Sequence, residues 1–255
     1  MTTVALASNV TLASNVTLAA TWNPRGEYAR FLQALPVLAG AYRRLVIIVP
    51  PHPVQGEMQE LHELASHPQI IVRSSQDWSA GRYAALSAAL ESSAQYMHYA
   101  DMDRLLRQIE TRPEAWRESL KFLQTRDAVI FGRPPADYAT HPRALVETEA
   151  LSNAVISFLL GRGDVIDVSA GSKGFSRPAA EFIVAHCTPG YALGADGEWP
   201  VALHQGGFAV AYHEVGGLDW ESADRYRNRA ADRERQRQAA LAYDRDPKIG
   251  PCGQR

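Results

Sequence analysis

Strand-like and helix-like segments alternate along the first half of this chain. The strand-like runs, rich in β-branched and aromatic residues, are 16–22, 43–51, 69–75, 95–103 and 128–134. The helix-like runs between the first four of them are 27–39, 56–66 and 80–94. This alternation predicts an α/β fold with a parallel, doubly wound sheet, in which ligands bind at the carboxyl ends of the strands.

The second half of the chain continues with the same kinds of element. Residues 144–160 have a helical pattern, and 164–186 predict a strand, a Gly- and Ser-rich loop and a helix. In the segment 194–215, the acids Asp196 and Glu198 precede a helix, and a Gly-Gly turn then leads to a strand. Ordered elements are therefore expected as far as the residues near 220.

Composition narrows the classes of protein to which the chain can belong. Its 255 residues fit one large α/β domain or two small ones, and a net charge of -2 gives no general attraction to nucleic acid or anionic membrane. Cys187 and Cys252 have neither metal-binding spacing nor a disulfide framework. No apolar run reaches the ~18–20 residues of a membrane helix, and no signal-peptide pattern opens the chain. We expect a cytoplasmic protein without a transmembrane segment.

The two ends of the chain differ from its centre. The N-terminus carries a short direct repeat, LASNVTLASNVTLAA, and we interpret residues 1–15 as a leader or local duplication that precedes the first strand. The C-terminal segment 221–255 begins with mixed arginines and acids and predicts a solvated helix followed by a tail. The domain proper is expected between them, at 16–220.

Two carboxylates, Asp101 and Asp103, stand at the end of the fourth predicted strand. Residues i and i+2 of an extended chain point the same way, so the two charges repel unless a cation lies beside them. Oxygen ligands suit Mg²⁺ and Mn²⁺, which keep open positions for phosphates. The alternative is an exposed strand end whose charges Arg104 and Arg107 balance.

Five motifs, taken in order, resemble those of the family 2 type of GT-A-fold glycosyltransferases. They are TLAATWNP (17–24), AGRYAALSAAL (80–90), YADMD (99–103), SAGSKGFSR (169–177) and GADGEWPVALHQGGFAV (194–210). The resemblance covers roughly 16–220 and implies a Rossmann-like GT-A fold, a mostly parallel central sheet flanked by helices. It also implies a nucleotide-binding half at about 16–104 and an acceptor half at about 105–220.

The activity that the resemblance implies is metal-dependent transfer of a hexosyl group (EC 2.4). The donor would be a nucleotide-diphosphate sugar such as a UDP- or GDP-sugar, the cofactor Mn²⁺ or Mg²⁺, and the acceptor an unidentified sugar or other hydroxyl compound. The chain lacks the Gln-x-x-Arg-Trp pattern of processive synthases, which favours a single transfer per encounter. No nucleic-acid partner is expected, and a homodimer is compatible with this function.

Specific residues follow from the matched motifs. The implied groups are nucleotide-sugar binding by Thr21, Asn23, Glu27, Asp77, Arg82 and Asp101; acceptor binding by Gly171 and Ser172; metal binding by Asp101, Asp103 and His213; and catalysis by Asp196 or Glu198. Polar side chains at strand ends are also what a base and a ribose require.

Several of these residues have an alternative, structural role. Asp77 could cap the following helix, and Glu198 suits a helix N-terminus better than Asp196, so we assign the general base to Asp196. His204 and His98 are the second and third choices after His213 for the metal-binding histidine.

Other functions remain open at this point. The chain departs from the family at Arg82 and Tyr83, where an asparagine is common, and its acidic motif reads ADGE. A sugar-nucleotide pyrophosphorylase-like nucleotidyltransferase has a similar sheet, and a haloacid-dehalogenase-like phosphatase also uses Asp-x-Asp, although both motifs fit poorly. A non-catalytic nucleotide or carbohydrate binder is the third alternative. Inverting and retaining chemistry are both compatible with the sequence.

Overall fold

The computed structural model describes residues 15–24, 26–51, 58–77, 79–190 and 194–220. The N-terminal repeat up to residue 14 and the predicted C-terminal helix and tail at 221–255 lie outside these ranges. Within them, no helix combines the length and hydrophobicity needed to cross a bilayer.

Strands and helices alternate along the described residues much as the hydrophobic pattern indicates. The strands are β1 (Val16–Thr21), β2 (Arg44–Val49), β3 (Ile70–Ser74), β4 (Tyr96–Asp101), β5 (Ala128–Gly132), β6 (Ser172–Ser176) and β7 (Val210–Glu214). The helices are α1 (Tyr28–Ala41), α2 (Met58–Ala65), α3 (Gly81–Ala89), α4 (Met102–Thr111), α5 (Pro113–Leu123), α6 (Pro135–Tyr138), α7 (Arg143–Leu159), α8 (Arg177–His186) and α9 (Glu198–Gln205).

The strands form one sheet in the order β3-β2-β1-β4-β6-β5-β7. All of its pairings are parallel except those of β6, which runs antiparallel to both β4 and β5. The predicted α/β class, with a mostly parallel central sheet flanked by helices, is confirmed.

Helices cover both faces of the sheet, and the strand sequences explain why. Along β1, Leu18 and Ala20 join the core beneath α1, α4 and α5, whereas Ala19 joins the core beneath α3, α8 and α9. Because successive side chains of a strand point to opposite faces, a strand that is apolar throughout must be covered on both sides. The carboxyl ends of the strands are left as the open edge of the sheet.

Two element boundaries differ from the sequence prediction. The fourth strand ends at Asp101 and α4 begins at Met102, so Asp103 lies in the first turn of a helix and the extended-chain argument does not reach it. The predicted Gly- and Ser-rich loop contains β6, whereas residues 165–169 form no strand. The location of β6 between β4 and β5 supplies its hydrogen bonds and overrides the weak strand propensity of glycine and serine.

A buried polar network joins β4 to its surroundings. The Tyr42 hydroxyl lies 2.6 Å from Nδ1 of His98 and accepts a hydrogen bond from Nε1 of Trp116 at 3.1 Å. On the other side of the ring, Nε2 of His98 lies 3.0 Å from the Ser172 hydroxyl of β6. Burial lowers the pKa of His98 to about 3. His98 is therefore a neutral core residue, and the structure does not place it for metal binding.

We expect His98 to make the stability of the fold depend on pH. Its pKa is about 3 in the folded protein against an ordinary value of 6.5, so between these values the unfolded chain binds the additional proton and stability falls as the pH falls. A single such group changes the free energy of unfolding by up to ~1.4 kcal/mol per pH unit. Urea denaturation of the wild type and of His98→Gln measures this.

The informative quantity is the stability difference between wild type and His98→Gln. It should be largest at pH 7 and shrink by about 2 kcal/mol at pH 5, because glutamine does not titrate. A difference that stays constant between these two pH values would contradict the assignment of His98 as a buried neutral residue.

Candidate active site

The adjacent carboxyl ends of β1 and β4 place Thr21 opposite Asp101 in the sheet. Oδ1 of Asp101 accepts a hydrogen bond from the Thr21 hydroxyl at 2.9 Å and a short one from the Tyr99 hydroxyl. Burial raises the pKa of Tyr99 well above its ordinary value, so its phenol stays protonated and donates. One oxygen of the Asp101 carboxylate is therefore occupied from within the sheet.

Gly171 allows the chain before β6 to approach Asp101 closely. Its carbonyl accepts a hydrogen bond from the Asp101 backbone at 2.9 Å, and its φ of +74° is one that L side chains rarely adopt. A Cβ at Gly171 would lie 2.6 Å from Oδ2 of Asp101. The glycine is thus needed for packing at the site, and only its backbone is available to a ligand.

Arg82, in the first turn of α3, connects two carboxylates across the open edge of the sheet. Its guanidinium donates from Nη2 to Oδ2 of Asp101 at 3.2 Å and from Nη1 to Oδ2 of Asp196 at 2.7 Å. About a quarter of the Arg82 side chain is exposed. A cation is therefore fixed at the ends of β1 and β4 while remaining open to solvent.

The carboxylate of Asp196, in the segment before α9, contacts the ammonium group of Lys173 as well as the guanidinium of Arg82. Its Oδ1 accepts a hydrogen bond from Nζ of Lys173 at 2.7 Å, and Nζ donates to the Val168 carbonyl at 2.8 Å. Burial raises the pKa of Asp196, but the charges of Lys173 and Arg82 outweigh it and hold the pKa below its ordinary value. With both oxygens ion-paired and a lowered pKa, Asp196 has the geometry of an anchor for two cations, which does not favour the predicted role of general base.

A second buried ion cluster secures the loop before β6. Arg133, which follows β5, donates to both oxygens of Asp167 from Nε at 2.6 Å and from Nη2 at 2.8 Å, and also binds Glu149 of α7 at 2.6 Å. Asn153 of α7 accepts a hydrogen bond from the Val168 backbone at 3.0 Å. These contacts fix the loop, and with it the Val168 carbonyl that orients Lys173.

Asp103 lies close to other negative charges. Burial raises its pKa; Arg104 opposes the rise, and the charges of Asp101 and Glu27 add to it. Glu27 is itself buried after β1. A divalent cation at this position would relieve the repulsion, and such ions are often held by one or two carboxylates together with substrate phosphates. Asp103 therefore fits a metal, whereas the oxygens of Asp101 already accept hydrogen bonds from Thr21, Tyr99 and Arg82.

The predicted third ligand, His213, does not join these carboxylates. It lies on β7, which β6 and β5 separate from β4, and its ring stacks on Phe122 at a centroid distance of 4.5 Å. Among the residues that the structure describes, no group of three or more histidine, cysteine or acidic side chains is arranged to hold a metal. In the sheet, two strands separate His213 from Asp101, with which it was predicted to bind a metal.

Of the other predicted site residues, Asn23 and Asp77 lie in loops that follow strands, and Ser172 lies within the sheet. Asn23 is half-buried in the loop after β1, and Asp77 accepts hydrogen bonds from the Ser79 and Ala80 backbones, both at 2.8 Å, so Asp77 caps the turn before α3. Ser172, predicted to bind the acceptor, is buried in β6, where its hydroxyl lies 3.0 Å from Nε2 of His98.

Glu198 begins α9 and does not precede it. Its carboxylate accepts a hydrogen bond from the Thr188 backbone at 3.0 Å, which ties the end of α8 to the start of α9. This contact gives Glu198 a structural role at the start of α9, the alternative to catalysis that the sequence also predicts. His204, on the same helix, is exposed.

Two residues of the cluster around Arg82, Tyr99 and Lys173, were not among the predicted site residues. Tyr99 could have been found, since it stands two residues before Asp101 on one strand and therefore shares its face. Lys173 carries no comparable signal, because its neighbours Ser172 and Gly174 are typical of a loop. Its importance depends on the placement of β6 beside β4, which local sequence does not reveal.

No protein-family model matches the chain, and no curated protein sequence matches it. Solved structures do match. Glucosyl-3-phosphoglycerate synthase of M. tuberculosis is 12% identical, with a TM-score of 0.51 over 82% of this chain and 73% of the synthase. A mycobacterial protein is 15% identical, with a TM-score of 0.53 over 78% of this chain and 65% of its own. The chain has a GT-A-type fold.

The resemblance seen in the sequence is thus confirmed at the level of the GT-A fold. A further match is 4-diphosphocytidyl-2C-methyl-D-erythritol synthase of Anaerococcus prevotii DSM 20548, 9% identical, with a TM-score of 0.48 over 82% of this chain and 92% of that protein. In the GT-A fold of this chain, the cluster around Arg82 occupies the carboxyl edge of the sheet, where doubly wound folds bind their ligands.

We expect Asp196→Asn to destabilise the GT-A domain. The substitution removes the anion from the buried Lys173 ammonium and from Arg82, and loss of one member of a buried ion pair costs ~3–5 kcal/mol. Urea denaturation measures the loss. The control is Glu114→Gln, which removes an exposed partner of Arg117 and should change stability by less than ~0.5 kcal/mol. Equal stability of the two variants would show that Asp196 does not act as an anchor.

Proposed function

We propose that the protein is a non-processive glycosyltransferase, which moves a sugar from a nucleotide-diphosphate sugar to an acceptor hydroxyl. The position of Arg82 supports this most directly. Its partly exposed guanidinium lies at the edge where β1 and β4 end, held by Asp101 and Asp196. A guanidinium binds two phosphate oxygens at once, so the donor diphosphate is a natural ligand for it.

The nucleoside would lie on the β1–β3 side of Arg82. Thr21, Asn23 and Glu27 are at or after the end of β1, and Asp77 follows β3 with an exposed carboxylate. These side chains are proposed to bind base and ribose. Glu27 is buried, so we expect it to act from beneath the nucleoside.

A divalent ion, Mn²⁺ or Mg²⁺, is proposed to bind at Asp103 together with the donor phosphates. The raised pKa of Asp103, caused by burial and by the charges of Asp101 and Glu27, supports this position. When bound, the ion would act as a Lewis acid for the leaving nucleoside diphosphate. Asp101 is proposed to position Arg82, and His213 is not part of the proposed site.

Asp196 is proposed to act through Lys173 and Arg82. By holding both cations, it would keep positive charge at the place where the leaving diphosphate gains negative charge, without reorganisation during the reaction. The acceptor would approach from the side of the Gly171 backbone and the loop before it. Asp196 is thus a positioning residue in this proposal.

Nucleotide binding tests the donor site. We expect UDP or GDP to bind with a higher affinity in the presence of Mn²⁺, measured by isothermal titration calorimetry. Asp103→Asn should abolish the gain from the metal while keeping binding without metal, because only the metal ligand is lost. Arg82→Gln should weaken binding in both conditions by about 10- to 100-fold, the loss of one or more charge-assisted hydrogen bonds.

His213→Ala is the matched control, because this residue lies across the sheet from the carboxylates. Its metal-dependent affinity should equal that of the wild type. If Asp103→Asn keeps the full metal effect, or if His213→Ala loses it, the proposed ligand set is wrong.

The products distinguish a glycosyltransferase from its alternatives. The name of the M. tuberculosis synthase suggests 3-phosphoglycerate as one acceptor to assay, and that enzyme has been crystallised with Mn²⁺ and UDP-glucose. Release of UDP from UDP-glucose that depends on the acceptor would support transfer, whereas release without an acceptor would be hydrolysis, in which water takes the glucosyl group. Formation of pyrophosphate from UTP and a sugar phosphate would instead identify a nucleotidyltransferase, and binding without turnover of any donor would identify a binding domain.

A further inference from the structure

The helix α7 buries polar side chains and exposes large apolar ones, which is the reverse of a typical surface helix. The residues that it buries are polar, Asn153 and Ser157, whereas large apolar side chains on the same helix face solvent. The exposed fractions are 71% for Leu151, 48% for Val155, 79% for Phe158 and 45% for Leu159. A surface helix normally turns its apolar stripe to the core.

Hydrogen bonds hold α7 in this orientation. Oδ1 of Asn153 accepts from the Val168 backbone at 3.0 Å, and the Ser157 hydroxyl accepts from the Ile166 backbone at 2.9 Å. Rotation of the helix to bury its apolar stripe would break both bonds and leave the donors of the loop unpaired. The outward stripe is therefore a fixed feature of the protomer surface.

The exposed apolar residues are also concentrated here. Leu151, Val155, Phe158 and Leu159 follow the i, i+4, i+7, i+8 spacing of one helix face, and Val165, 67% exposed, lies just beyond the helix. Leu32 is the other large apolar residue with comparable exposure in the described ranges. A contiguous patch of this kind marks an interaction surface.

Charges at the two ends of the stripe indicate what covers it. Arg143 and then Glu147 precede the stripe, and Arg162 and then Asp164 follow it, each pair in contact within the protomer. In an antiparallel pair of identical helices with the two-fold axis between residues 154 and 155, position 151 faces 158, and position 147 lies just beyond Leu159, where α7 of the other copy ends, beside the turn that carries Arg162. Each Glu147 would then meet an Arg162. A parallel pair would place like charges together.

We propose that α7 is the interface of a two-fold symmetric homodimer, in which the α7 stripes of two copies pack antiparallel. Each copy places Leu151 opposite Phe158 of the other copy, and two Glu147–Arg162 ion pairs close the ends. A two-fold interface uses the same patch on both subunits, which a self-complementary stripe with this charge order satisfies.

Sedimentation velocity and light scattering of the full chain test the dimer. We expect the wild type to be dimeric at micromolar concentrations. The dissociation constant of the Phe158→Glu dimer should be at least 100-fold higher. Since Phe158 is 79% exposed in the protomer, its replacement should leave the circular dichroism spectrum unchanged. Leu32→Glu, at a 44% exposed residue of α1, is the matched control and should remain dimeric.

A charge exchange tests the antiparallel arrangement. Glu147→Arg and Arg162→Glu should each weaken the dimer, because they create two pairs of like charges, and the double variant should restore it. A parallel dimer would not show this rescue. A wild-type chain that stays monomeric at about 100 μM, or a dimer that Phe158→Glu leaves intact, would overturn the proposal. Co-sedimentation of a monomer with phosphatidylcholine or phosphatidylserine vesicles, lost in Phe158→Glu, would also overturn it and assign the stripe to a membrane.

Discussion

The carboxylate of Asp196, held between Lys173 and Arg82, is the interaction on which the edge of the sheet depends. Lys173 is almost fully buried, and an ammonium group in that position is tolerated only when an anion and hydrogen-bond acceptors surround it. Through these two bonds, Asp196 connects β6 to α3 and both to the segment before α9. The site and the local fold therefore share the same charged groups.

The charged residues at the carboxyl ends of the strands form a row in which positive and negative groups alternate. Asp101, Arg82, Asp196 and Lys173 follow one another by direct contacts, and the Val168 carbonyl leads from Lys173 to the loop that Asp167 and Arg133 hold. Each ion has a partner of opposite sign on at least one side, and the attraction between the partners offsets the cost of removing the ions from water. A donor diphosphate would enter this row at Arg82, where the side chain is partly open to solvent, and would compete there with Asp101.

The direction of β6 explains why this arrangement is reached. In a parallel sheet the beginnings of strands lie at the edge opposite to the ligand site, so the first residues of a parallel strand cannot contribute to it. Because β6 runs antiparallel to β4 and β5, it begins where they end. Gly171 and Lys173 are thus brought to Asp101 and Asp196 by a single reversed strand.

The parts of the structure that depend on local pattern could be predicted from the sequence. The apolar runs of β1, β2 and β4 specify buried parallel strands, and the polar residues at their ends follow from that. Alternate residues of a strand share a face, but in β4 this pair is Tyr99 and Asp101. Asp103 does not belong to it, because α4 begins at Met102. His213 could not be placed, since the order of strands in the sheet, which puts β7 at the edge, is set by long-range pairing.

The helix α7 has an outer face of exposed apolar residues and an inner face that contacts the loop beside the site. Its inner face contributes Glu149 to the Arg133 cluster and Asn153 to the loop that carries Val168. A helix that docks by polar contacts gains little from hydrophobic burial, and the directional bonds of Asn153 and Ser157 fix its rotation instead. Asn153 beneath the helix holds the loop whose Val168 carbonyl accepts from Lys173, while Ile156 packs against the core and Leu151, Val155, Phe158 and Leu159 face outward. The support of the site thereby determines which surface is presented to a second copy of the chain.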